Sequence, residues 1–232
     1  MAQALLISNN EELIDLYTIN LKIYAATDIV SKPDIEKATS LLKVFPNIGL
    51  IISNLDHKKD ISSLIDVLQE CSLNIPILQV GGAEDLDELS LSSVKNPSNL
   101  KKVLENVHQL LGIDPAVVPE LPFPNYIPIS LQTFIKFGPL SCDLYVKISK
   151  SQDDFRFLKR FRKEETLTSE DVKAFKERGI NELYIKKEDR FIFTETFSKK
   201  IIAVLDSSTA TVAELPTDFT KPDLEKIIKL FK

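Results

Sequence analysis

Short apolar runs alternate along the first half of the chain with longer stretches in which apolar side chains recur every three or four residues. Ala4-Leu5-Leu6-Ile7-Ser8 is a run of the first kind, and residues 11–24, with Leu13, Ile14, Tyr17, Leu21 and Tyr24, are a stretch of the second. The first pattern predicts a buried strand and the second an amphipathic helix. Asn10 can cap that helix, and Glu11 and Glu12 favour its positive end. The alternation continues with a weak strand over 27–30, a helix from Pro33 to Val44, and a central buried strand over 48–52. A helix over 61–69 follows, then a strand over 75–80 with Pro76 near its start, where a missing N–H costs least. A short helix near 84–89, a strand over 89–94 and a helix over 98–111 complete the series; the last carries Leu100, Val103, Leu104, Val107, Leu110 and Leu111. This order predicts an α/β domain over residues 1–113, a doubly wound five-stranded parallel sheet of the receiver/flavodoxin-like kind with helices on both faces.

Residues 114–128 hold Pro115, Pro119, Pro122, Pro124 and Pro128, a density that no helix can carry and that reads as a linker. A smaller α+β domain with C-terminal helices is expected over 129–232. Within it, 129–137 reads as strand or short helix, 142–148 and 155–161 alternate as half-buried strands do, and 181–186 is a further strand. Thr168 and Asp171 form a capping box for a helix that Gly179 stops. A helix over 187–205 should break in the polar stretch 207–217, and Pro222 should start a last helix with Leu224, Ile227, Ile228 and Phe231.

Composition narrows the function classes. No apolar run approaches the ~20 residues of a membrane span, and the first residues lack the basic flank of a signal peptide. Two cysteines, Cys71 and Cys142, fall in different predicted domains, which suggests a reducing cytoplasm rather than a disulfide framework. Two histidines, His57 and His108, argue against a His-rich metal site. The net charge of −5 is uneven: residues 1–113 hold 9 basic and 15 acidic residues, residues 114–232 hold 20 and 19. Neither half reads as a nucleic-acid binder.

Sites of parallel α/β sheets gather at the carboxyl ends of the strands. Here those ends carry Ser8-Asn9-Asn10, Asn54, Gly81-Gly82 and Lys95-Asn96-Pro97. The order and spacing resemble the receiver domain of response regulators over residues 1–113. The resemblance implies an acidic Mg²⁺-binding pair after the first strand and a phosphorylated Asp after the third. It also implies a Ser or Thr after the fourth strand and a Lys after the fifth. On this chain the acidic pair falls on Ser8 and Asn9, or on Asn9 and Asn10 one residue on. The acceptor falls on Asn54, the hydroxyl on Gly81 and the cation on Lys95. A neutral amide cannot form an acyl phosphate, and Mg²⁺ needs anionic oxygens. The resemblance is therefore to a degenerate receiver, a pseudo-receiver. Its pocket residues are read as loop and cap chemistry in preference to a small-ligand site, and Gly81-Gly82 as a turn rather than a phosphate cradle.

Two segments of the second half, Cys142-Asp143-Leu144-Tyr145-Val146-Lys147-Ile148 and residues 176–189, resemble the small module that precedes the catalytic part of bacterial HD-GYP proteins, which are cyclic di-GMP phosphodiesterases. The resemblance covers residues 125–200 and implies an accessory, regulatory role. The enzyme's His-Asp pair and Gly-Tyr-Pro triplet are absent: His57 precedes Lys58 and His108 precedes Gln109. The basic residues Arg156, Lys159, Arg160, Arg162 and Lys163 are candidate anion or partner contacts. Arg156 and Arg160 have the Arg-x-x-x-Arg spacing that resembles half of the PilZ cyclic di-GMP motif, but Asp206-Ser207-Ser208-Thr209-Ala210-Thr211 lacks the glycine of the other half. Because Phe155, Phe157 and Phe161 alternate with the charges, a strand with one wet face is preferred to cyclic di-GMP binding.

The sequence thus predicts a cytoplasmic, non-catalytic bacterial signal-transduction protein without cofactor or metal. It should act through protein–protein contacts with other signalling proteins, or as a homodimer, with its last receiver helix at Lys101, Lys102, Glu105 and His108 as the contact face. The alternative is the regulatory N-terminal portion of an HD-GYP-type cyclic di-GMP phosphodiesterase whose catalytic domain is absent from this chain. A third reading is an unusual receiver phosphorylated on Asp56.

Overall fold

The structure, a computed structural model, describes residues 2–45, 47–55, 57–82, 91–135, 138–149 and 155–213. The expected helices over 84–89 and from Pro222 onward, and Asp56, lie outside the described residues.

The first 111 residues build β1 (Ala2–Ile7), α1 (Glu11–Ala25), β2 (Thr27–Lys32), α2 (Ile35–Val44), β3 (Leu50–Ser53), α3 (Lys58–Glu70), β4 (Ile77–Val80), β5 (Ser92–Val94) and α4 (Leu100–Leu111). All four strand pairs are parallel, and the order is β2-β1-β3-β4-β5, one of the two common doubly wound orders. The sheet is buried on both faces, as its continuous apolar runs require. Leu6, Leu50, Ile52, Leu78 and Val80 pack with α1 and α4, whereas Leu5, Ile7, Ile51 and Ile77 pack with α2 and α3.

Cap chemistry sets the helix starts. Asn10 Oδ1 accepts from the Leu13 N–H at 2.8 Å, as expected. For α2 the cap is Asp34, which accepts from the Lys37 N–H at 2.8 Å, so the helix begins at Ile35 and Pro33 stands outside its first turn. The sequence pattern missed this because Pro suits both positions.

The Pro-rich stretch is packed. A 3-10 turn spans Pro115–Glu120, Val118 and Phe123 are buried, and β6 (Tyr126–Ser130) begins inside it. Then come α5 (Leu131–Ile135), β7 (Leu144–Ser149), β8 (Phe155–Phe161), α6 (Ser169–Glu177), β9 (Glu182–Lys186) and α7 (Arg190–Ala213). The four strands form an antiparallel sheet in the order β6-β9-β7-β8. Pro128 is tolerated because β6 is an edge strand. The Thr168–Asp171 capping box forms with both reciprocal bonds at 3.1 Å, and Gly179 takes φ +72°, the left-handed value that a helix stop favours.

Two expectations are corrected here. α7 does not break at 207 but runs to Ala213, and Ser207 keeps its hydroxyl satisfied by donating to the Ala203 carbonyl at 2.6 Å. β8 is not half-buried. It is the other edge strand, and of its seven residues only Phe161 is buried.

α7 lies on α1, and one contiguous set of buried side chains runs from the parallel sheet through α1 and α7 to the antiparallel sheet. Asn20, fully buried on α1, donates to Ser198 Oγ on α7 at 2.8 Å. Lys22 reaches the Pro128 carbonyl at 3.4 Å, and Arg190 donates to the Pro119 carbonyl at 2.7 Å.

Ile51 is wholly buried between α2 and α3 on the central strand. Ile51→Ala should cost about 2–5 kcal/mol in urea-unfolding free energy; a loss under ~1 kcal/mol would show a misplaced core.

Candidate functional site

The parallel sheet brings Ser8, Asn9, Asn10, Asn54, Gly81 and Lys95 to its carboxyl edge, because each follows directly on β1, β3, β4 or β5. Three of them are joined by hydrogen bonds. Ser8 Oγ donates to Asn54 Oδ1 at 3.2 Å, and Asn54 Nδ2 donates to the Val80 carbonyl at 2.8 Å. The Asn54 N–H also donates to the Ile7 carbonyl at 2.9 Å. The side chain of Asn54 therefore ties the ends of β1, β3 and β4 together. Ser8 Oγ in turn accepts from the Asn10 N–H at 3.1 Å, while Asn10 is engaged as the α1 cap and Asn9 is exposed.

Gly81 closes the site from the β4 side. Its φ is +69°, and a Cβ there would stand 3.1 Å from Asn54 Nδ2. A Ser or Thr at 81 would be strained in backbone and would press on the amide. Lys95 is exposed and has no ion-pair or hydrogen-bond partner among the described residues. Its loop is pinned by Tyr17, whose buried hydroxyl donates to the Pro97 carbonyl at 2.8 Å. Burial pushes that phenol well above its ordinary pKa, so it stays a donor.

These positions carry no carboxylate, and so neither an aspartyl acceptor for phosphate nor anionic oxygens for a metal. No group of three or more metal-ligating side chains occurs among the described residues. Sequence reasoning missed two contributors, Tyr17 and Gln79. Gln79 is buried beneath the site and donates to the carbonyls of Leu55 at 2.9 Å and Gly81 at 3.3 Å, and the neighbouring Ser53 is buried too. A polar residue inside an apolar strand was the signal that could have found Gln79, since buried polar groups need partners.

The expected contact helix, α4, presents a smaller face than expected. Lys101 and Glu105 are exposed and form an ion pair at 3.9 Å, and Lys102 is exposed. His108 is buried, and its Nε2 lies 2.8 Å from the Tyr24 carbonyl. It stands one turn after the core-facing Leu104, so it points at α1 rather than outward.

The basic cluster is dispersed. On a strand, alternate residues share a face, so Arg156 and Arg160 lie on one face of β8 and Lys159 on the other. Lys159 pairs with Asp143, holding that carboxyl below the usual carboxylate range and raising its own amine. Arg160 sits over the rings of Phe161 and Phe175, at 4.8 and 5.9 Å. Arg162 follows the end of the strand, and residues 206–211 lie within α7.

In an Asn54→Asp variant a carboxylate would face the Val80 carbonyl with no proton to donate. The variant should lose about 1–3 kcal/mol at pH 7 by urea unfolding. The loss should shrink as pH falls and the acid protonates, since the folded state then raises its pKa above the unfolded value. Unchanged stability at pH 7 would mean that the amide bridge contributes nothing.

No family model matches the chain, and no curated protein matches it. Among solved structures, the solution NMR structure of a de novo designed Rossmann 2x3 fold protein is similar at 19% identity, over 48% of this chain and 90% of its own, with a TM-score of 0.37. A likeness at that level carries no argument about what this chain does.

Proposed function

We propose that this chain is a non-catalytic bacterial signal-transduction protein, a phosphorylation-independent pseudo-receiver that works in the cytoplasm through contacts with other signalling proteins. The observation that carries the reading is the Asn54 amide, held between Ser8 and the Val80 carbonyl where a receiver would carry its phosphorylated Asp. The strand order, and the arrival of the degenerate positions at the carboxyl edge, support the receiver likeness. A pocket of this kind has no charge change with which to switch. The protein would then offer its partners one fixed surface, with Lys101, Lys102 and Glu105 on α4 part of it. No helix among the described residues is long and apolar enough to cross a membrane.

A second reading has its own support. The two segments that resemble the HD-GYP accessory module meet in the antiparallel sheet, where Tyr145 of β7 faces Tyr184 of β9. On that reading the chain is the regulatory portion of a cyclic di-GMP phosphodiesterase, and a reading frame continuing past Lys232 into a catalytic domain would favour it.

Incubation with acetyl phosphate and Mg²⁺, followed by intact-protein mass spectrometry, tests the leading proposal. No phosphoryl adduct is expected. An adduct that disappears in an Asp56→Asn variant would replace the pseudo-receiver with a working receiver.

A further inference from the structure

Exposed large apolar side chains are mostly scattered: Val44 and Phe45 at the end of α2, Val117 in the 3-10 turn, Ile192 and Val204 on α7. Three others gather on one hairpin, Ile148 at 44% exposure, Phe155 at 46% and Leu158 at 52%. Among the described residues β8 pairs with β7 alone, and its outer edge has backbone N–H and C=O groups that none of them pairs. Residues 155–163 contain Arg156, Lys159, Arg160, Arg162 and Lys163 and no acid. Lys159 is occupied by Asp143 and Arg160 by two aromatic rings. The guanidinium groups of Arg156 and Arg162 have no ion-pair partner among the described residues, although the Arg162 backbone N–H donates to Glu165 Oε2 at 3.0 Å.

Cations along an edge keep a second copy of the same strand away, because like charges repel across paired strands. That explains the charges but not Phe155 and Leu158 between them, which add to the aggregation hazard that edge charges reduce. A guest strand of opposite charge, with apolar residues between its acids, accounts for both.

We propose that β8 is a docking edge that takes an extended acidic segment of another protein as a fifth strand of the antiparallel sheet. Backbone hydrogen bonds to the free edge supply affinity, and the guest's carboxylates reach Arg156 and Arg162. Its carboxylates share the face of Arg156 and Leu158, and its alternate apolar side chains lie on the opposite face beside Phe155. This rests on the reading that the chain works through protein contacts and is indifferent to the state of Asn54.

The test is fluorescence anisotropy of the full chain with a labelled octapeptide, Glu-Val-Glu-Thr-Glu-Val-Glu-Thr, alongside amide NMR of the same titration. Saturable binding is expected. It should weaken about tenfold or more in Arg156→Glu/Arg162→Glu, with circular dichroism as the check on folding. It should weaken similarly when alternate peptide nitrogens are methylated, which removes donors and keeps the charges. Because the methylated peptide is tested on the wild type, the experiment stays decisive even if the double variant does not fold. No binding by ~1 mM peptide, or binding that methylation leaves intact, would overturn the proposal. Shifts around Lys101 instead of β8 would remove the β8 site while leaving the protein-contact reading in place; a phosphoryl adduct in the acetyl phosphate experiment would instead remove the pseudo-receiver.

Discussion

Between the hydroxyl of Ser8 and the carbonyl of Val80 there is room for one side chain, and it must accept on one side and donate on the other. Asn54 does both, at 3.2 and 2.8 Å. An aspartate of the same shape could accept from Ser8 but would meet the Val80 oxygen with a second oxygen. The three strand ends are thus joined by a group that excludes acyl-phosphate chemistry at its own position. Gly81 follows from the same constraint, since a Cβ on it would press on the amide it faces.

α1 carries the second constraint. It is packed by the parallel sheet on one side and by α7 on the other. Its buried Asn20 spends its amide on Leu16 of its own helix and Ser198 of α7. His108 and Tyr24 bind α4 to the end of the same helix, and the Tyr24 ring packs at a tilt against Phe191 of α7, 5.6 Å between centroids. α2 and α3 cover the opposite face of the parallel sheet from α1 and α4. Among the described residues no strand pairs with the outer edge of β8.

Much of this was legible in the sequence. The apolar runs and the helical stripes marked the five parallel strands and β7, β8 and β9, because burial on two faces and burial on one stripe leave different periods; β6 was hidden in the Pro-rich stretch read as a linker. Asn10, Thr168 with Asp171, and Gly179 were readable because their chemistry is local. What escaped was what depends on neighbours. β8 looks half-buried in its alternation, yet nothing packs over it closely enough to bury more than Phe161. His108 looks like a surface residue until α1 is placed against it. The Asn54 bridge was readable only as a missing carboxylate: its partner is a backbone carbonyl on another strand, and backbone partners leave no trace in side-chain identity. Tyr17 was counted in an apolar stripe, although its hydroxyl, once buried, had to find the Pro97 carbonyl.

The central claim is that the acceptor position is filled from within by an amide that ties three strand ends. NMR of the Asn54 side-chain NH₂, with and without Mg²⁺ and beryllium fluoride as a phosphoryl mimic, addresses it directly. The account predicts one Asn54 amide proton protected from solvent exchange by its bond to Val80, and no shift at Ser8, Asn54, Gly81 or Lys95 when the mimic is added. A freely exchanging Asn54 amide, or saturable shifts at those residues, would contradict it.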